Sequence, residues 1–224
     1  MKKQLPLLFA GALLLLASHS LMSQVRFGAK AGLNISNVDY RVYPGFSPKM
    51  IPSFQIGGLA EIQLPVEAYI GIGLEAQGKG YQFVYSANDF KYTVTINPIY
   101  LQIPVKLILR SSDGGIFGGV GPYLAYGIAG KVKQVITSSS DGQETTTDES
   151  IRFGNTAQDH YRPLDFGLSI EFGYEARNGL RITGEYSKGF GDLRTDPVKE
   201  AKFISPINNR ITSLCVTYFF LTKK

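Results

Sequence analysis

Tryptophan is absent from the 224 residues, and cysteine occurs once, at Cys215. A lone cysteine closes no internal disulfide, and because it lies far from the N-terminus a lipoprotein cleavage site is absent as well. Histidine occurs twice, at His19 and His160, too few alongside one cysteine for a typical zinc set. Charged residues amount to 18% and the basic ones are scattered rather than clustered. With an export leader in front of them, they carry no pattern of nucleic-acid recognition, and no nucleic-acid partner is expected.

Long apolar runs are missing too, with one exception. Lys2 and Lys3 precede an apolar run from Leu5 to Ala17 and small polar residues to Ser23. This is the pattern of a secretory signal peptide spanning residues 1–23, cleaved near Ser23. The formal net charge of +5 falls by two when both lysines leave, a balance that implies no polyanionic partner. No later stretch offers about 18 uninterrupted apolar residues, so a transmembrane helix is not expected. Residues 24–224 contain no linker or shift of composition and read as one domain.

What the chain has instead is alternation. In the stretch NPIYLQIPVKLILR, Ile99, Leu101, Ile103, Val105, Leu107 and Leu109 fall on every second residue. Tyr100, Gln102, Pro104, Lys106 and Ile108 lie between them, as on a strand with one apolar face. The same period recurs from Val25 to Ile35, Phe54 to Leu64, Ala68 to Lys79, Ile116 to Ala129, Leu164 to Glu175, Leu180 to Ser187 and Ser213 to Phe220, giving eight strands in all. The connections at Pro65–Glu67, Ser111–Gly114 and Ala176–Gly179 are tight. Those at about 37–52, 82–95, 130–160 and 188–208 are long, an asymmetry typical of transmembrane barrels.

Eight alternating strands after a leader fit a soluble lipocalin-like barrel or a membrane barrel, which differ in the side the apolar face takes. Gly28, Gly32, Gly57, Gly71, Gly73, Gly119, Gly121 and Gly167 fall mainly on the polar face, where a narrow lumen needs small residues. On the apolar face, Phe27, Phe172, Tyr174, Tyr218 and Phe220 lie near the short turns. Phe54, Tyr126, Phe166 and Tyr186 lie toward the long loops, so two aromatic girdles emerge. The expectation is an all-β, eight-stranded antiparallel up-and-down transmembrane β-barrel in an outer membrane, its apolar face on lipid.

The inward set then contains Arg26, Lys30, Lys79, Lys106 and Arg181, opposed by Glu61, Glu75, Asp165, Glu171 and Glu185. Interdigitated opposite charges satisfy one another in a narrow lumen, and a salt-bridge plug is the reading; a small charge-selective channel is the alternative. Cys215 reads as a lumen-facing packing residue. Catalysis is not expected. Lipid-modifying chemistry needs an activated nucleophile, and no serine stands two residues from His160, where Gln158 and Arg162 lie instead.

No cofactor or metal is expected either. The acidic segment SSSDGQETTTDES (138–150), with Asp141, Glu144, Asp148 and Glu149, matches no calcium-loop spacing and reads as a solvated polar loop. Tyr81, Phe83, Tyr85, Phe90 and Tyr92 either extend the upper girdle or form an interface for a protein partner at the external loops.

The stretches FGAKAGLNIS (27–36), IYLQIPVKLIL (99–109), GGVGPYLAYG (118–127), DFGLSIEFGYE (165–175) and CVTYFF (215–220) resemble the PorT-like family of small outer-membrane β-barrels. The resemblance implies an outer-membrane location, lipid around the barrel and handling by the barrel-insertion machinery, which reads an aromatic near the C-terminus; Phe220 fills that role. Leu221, Thr222, Lys223 and Lys224 follow it, a departure from the pattern. Some family members are associated with type IX secretion and gliding motility, which makes an accessory of protein secretion an alternative role.

Overall fold

Alternating apolar and polar side chains make a strand that separates two environments, and here they make a closed ring. The computed structural model describes residues 25–39, 48–65, 67–111, 115–140, 142–156, 158–195 and 206–220. The expected leader and cleavage point, Asp141 and the last four residues lie outside them.

The described residues form ten strands: β1 (Val25–Asp39), β2 (Ile51–Gln63), β3 (Ala68–Gly78), β4 (Tyr81–Ser86), β5 (Phe90–Arg110), β6 (Gly115–Ser138), β7 (Glu144–Ser150), β8 (Leu164–Glu175), β9 (Leu180–Gly189) and β10 (Asn208–Phe219). All pairings between them are antiparallel. The order β5-β3-β2-β1-β10-β9-β8-β6, closed by β5 against β6, is an eight-stranded barrel. Strands β4 and β7 flank β5 and β6 outside the ring.

Two expectations change here. The connection expected over 82–95 is a hairpin of β4 with the first part of β5. The acidic segment expected to be a solvated loop contains β7, which pairs with β6 from Lys131 to Thr137. β5 and β6 run to 21 and 24 residues, about twice the 9–11 that cross a bilayer. The surplus of both, with β4 and β7, stands beyond the barrel as a four-stranded arm.

In the ring, the apolar face points outward. Leu33, Ile56, Leu74, Leu107, Ile170 and Val216 are exposed, whereas Lys30, Gln55, Glu75, Lys106, Ser169 and Cys215 are buried. Of the expected girdle, Phe27, Phe54, Tyr126, Phe166, Phe172, Tyr174, Tyr218 and Phe220 are exposed; Tyr186 is half-buried. Phe219 instead turns inward and is 1% exposed.

The arm reverses this polarity. Between Ile99 and Tyr100 of β5 the register with β6 shifts, pairing Ile99 with Ala129 and Tyr100 with Gly127, so Ile128 is an extra residue on β6. One β-bulge thus moves β6 by one position, and Val132 and Ile136 join Ile96, Tyr92 and Tyr100 on the face that continues the lumen. Tyr81, Phe83 and Tyr85 pair with Ile96, Val94 and Tyr92 and share that face. These aromatics are therefore not an upper girdle: Tyr81 is buried in a cluster with Val38, Ile96 and Ile151 over the mouth of the barrel.

Candidate functional site

The interior of the barrel holds ion pairs in three tiers. Because each ring strand sends every second side chain inward, residues four or more apart along one strand stack at successive heights. Arg26, Lys30 and Asn34 climb β1 in this way, and Glu171 and Asp165 do so on β8.

At the short-turn end, Arg26, Arg110 and Arg181 converge on Glu61 and Glu175. Arg26 Nε donates to Glu61 Oε2 at 2.9 Å and Arg181 Nη1 to Glu61 Oε1 at 2.6 Å. Arg26 Nη2 and Arg181 Nη2 both donate to Glu175 Oε2, at 2.8 and 2.7 Å, and Arg110 also bonds to Glu175. Aromatic rings cover the guanidinium planes: Phe219 lies 3.8 Å from Arg26 and 4.6 Å from Arg181, Phe117 4.3 Å from Arg181, and Tyr69 4.2 Å from Arg110. Each plane keeps its edge for carboxylates and its face for a ring.

The middle tier is bridged by Glu185. Lys30 Nζ donates to Glu185 Oε2 at 2.7 Å and to Glu75 Oε1 at 3.0 Å. Lys106 Nζ donates to Glu171 Oε2 at 2.6 Å and lies 2.9 Å from Glu185 Oε1. Above it run amides and a thiol: Gln77 Nε2 donates to Gln55 Oε1 at 2.6 Å, and Gln55 Nε2 to the buried Cys215 Sγ.

The upper tier centres on Lys79, which donates to Asp165 Oδ2 at 2.9 Å and Gln102 Oε1 at 2.8 Å beneath the Tyr123 ring, 4.3 Å away. Asn209 Nδ2 donates to the same Asp165 oxygen at 2.8 Å.

All ten lumen residues expected from the sequence are therefore in these tiers. Two more, Arg110 and Glu175, join them, and the balance is six cations to six carboxylates. The alternation carried the signal for both, since Arg110 continues the inward row of Lys106 and Ile108 and Glu175 that of Glu171. Both sit at strand ends beside turns, where alternation is shortest.

The upper mouth is stoppered by residues 151–156 and 158–163. Phe153 bridges to Tyr161 and stands edge-on to Tyr100, with centroids 5.7 Å apart. Its seat is Gly127, where a Cβ would lie 2.2 Å from the Phe153 ring. The Tyr161 hydroxyl bonds that of Tyr81, and Leu193 packs below with Tyr100, Tyr123 and Ala125. Among the lumen charges lies a cavity of about 30 Å³, lined by Lys30, Glu75, Lys106, Glu171, Arg181 and Thr183 among others; its size suits one or two waters.

His160 lies in the stopper segment. Its Nδ1 accepts the backbone N–H of Arg152 at 3.0 Å, and its Nε2 stands 3.6 Å from Glu149.

A family model described as outer membrane protein beta-barrel domain matches residues 17–194. Among solved structures, Ail, the attachment invasion locus protein of Yersinia pestis, is similar at 10% identity and a TM-score of 0.42, covering 88% of this chain and 99% of its own. The outer membrane protein OprG of Pseudomonas aeruginosa is similar at 11% identity and a TM-score of 0.40, with 89% and 97% covered. A major outer membrane protein of Thermus thermophilus is similar at 12% identity and a TM-score of 0.41, with 88% and 99% covered. No curated protein sequence matches the chain.

Proposed function

We propose, for a chain that belongs to the outer membrane protein β-barrel domain family, a non-conducting and non-enzymatic role: a sealed barrel that anchors an interaction arm outside the outer membrane. The lumen carries this reading. Six carboxylates and six cations fill the eight-stranded ring, Phe153 and Tyr161 close its mouth, and the cavity of about 30 Å³ is far from a path for hydrated ions. The partners of His160, a backbone N–H and a carboxylate, support the absence of nucleophilic catalysis.

Planar-bilayer recording of the purified protein tests the sealed lumen. Silence is expected, and large, stable unitary currents would refute it in favour of a small channel.

The PorT-like stretches, which run through five of the ring strands and lack any catalytic motif, support a second and narrower role as an accessory of type IX protein secretion. Cross-linked recovery from intact envelopes separates the two: secretion components co-purify under the narrower reading and are missing under the general one.

A further inference from the structure

The arm ends in two different edges. That of β4 is covered at its base, where Lys49 and Gln82 exchange backbone hydrogen bonds of 2.7 and 3.1 Å. That of β7 has no strand beside it among the described residues, and each residue from Glu144 to Ser150 is exposed.

The hydrogen bonds that flank β7 fix which of its backbone groups are spare. Ile151 N–H donates to Gly130 O at 3.0 Å and Ser138 N–H to Gln143 O at 2.9 Å. Antiparallel bonding alternates, so Thr145, Thr147 and Glu149 bond to β6 while Glu144, Thr146, Asp148 and Ser150 direct N–H and C=O outward. Lysine, proline and a bulge, which blunt many edges, are missing from ETTTDES, and the acidic side chains it does carry guard the edge against its own kind. Three consecutive threonines favour extended pairing.

We propose that β7 is a docking strand, to which a basic, extended segment of a partner protein adds as a fifth strand of the arm. The proposal rests on the interaction role given above and names the partner's chemistry. Charge selects it: Glu144 and Asp148 occupy one face of the sheet four residues apart, and Glu149 occupies the other. A second copy pairing on the same edge brings six carboxylates together and is repelled, whereas lysines spaced by four residues meet Glu144 and Asp148 directly. Backbone bonds supply the affinity and the acidic side chains the selection.

The test uses the full chain in lipid nanodiscs and a labelled peptide, TKVTVKT, read by fluorescence anisotropy at low salt. Saturable binding is expected, with at least a tenfold loss for Thr146→Pro. That substitution removes an outward N–H and leaves the ladder to β6 intact. Asp148→Lys is expected to weaken binding to a similar degree.

A peptide N-methylated at alternate amides should fail on the wild-type protein, which keeps the test independent of how the variant folds. Equal binding of the methylated peptide, or of an acidic counterpart with glutamates for lysines, would overturn strand addition. So would dimerisation through β7 that Thr146→Pro abolishes. Absence of peptide binding from a barrel that stays silent in the bilayer would reject the docking strand alone, since conductance decides the sealed lumen separately.

Discussion

Glu185 holds two lysines that reach it from opposite sides of the barrel, Lys30 on β1 and Lys106 on β5. Its removal leaves two buried ammonium groups with one carboxylate each, Glu75 and Glu171. Breaking a buried pair from one side costs about 3–5 kcal/mol, because the remaining charge stays desolvated. Glu185→Ala is therefore expected to lower clearly the temperature at which the folded barrel loses its compact electrophoretic mobility; melting at the wild-type temperature would argue against a structural network. At this scale the sequence was largely legible, since parity alone sends Lys30, Glu75 and Asp165 inward. What parity does not encode is which cation meets which carboxylate. The pairing of Arg26 on β1 with Glu175 on β8 depends on how the ring closes.

Single elements were less legible outside the membrane than within it. Along β5 the apolar phase runs over Ile99 to Leu109 on odd positions and over Phe90 to Ile96 on even ones, with Asn97 and Pro98 between. The shift makes the upper part read as a break, and ETTTDES, lacking large apolar residues, reads as solvent-facing chain. β7 forms because β6 offers it a ladder, a tertiary cause that local pattern does not contain.

The segment after β9 yields a pH prediction. Burial pushes the Asp192 carboxyl up, but hydrogen bonds from Arg194 and from the backbone N–H groups of Arg194 and Ile207 outweigh it and hold the group below its ordinary 3.8. A depressed carboxyl contributes stability above its unfolded value and loses it as pH falls through the folded one. Hydrogen exchange at Arg194 and Ile207 is therefore expected to keep constant protection at neutral and mildly acidic pH and to lose protection below about 3.8. Loss of protection already at pH 6 would contradict this account.

As a whole, the molecule is built for two solvents, and the boundary between them crosses β5 near Pro98. Below it an outward arginine meets hydrocarbon, at about 2–4 kcal/mol near the midplane; above it the same change meets water and stays within about 0.5 kcal/mol. Leu107→Arg and Thr93→Arg sample the two sides, since Leu107 is exposed on the ring and Thr93 lies on the arm face opposite its apolar row. Denaturant unfolding from lipid vesicles is expected to show the difference, and equal costs would place the boundary elsewhere.

The extra residue at Ile128 has an evolutionary consequence. Because a single bulge hands the strand from one pattern of sidedness to the other, the outer hairpin can be lengthened or shortened in residue pairs, or exchanged for another, without rewriting any position inside the ring. The barrel is in this sense a socket, and variation among its relatives is free to accumulate in whatever is plugged into it.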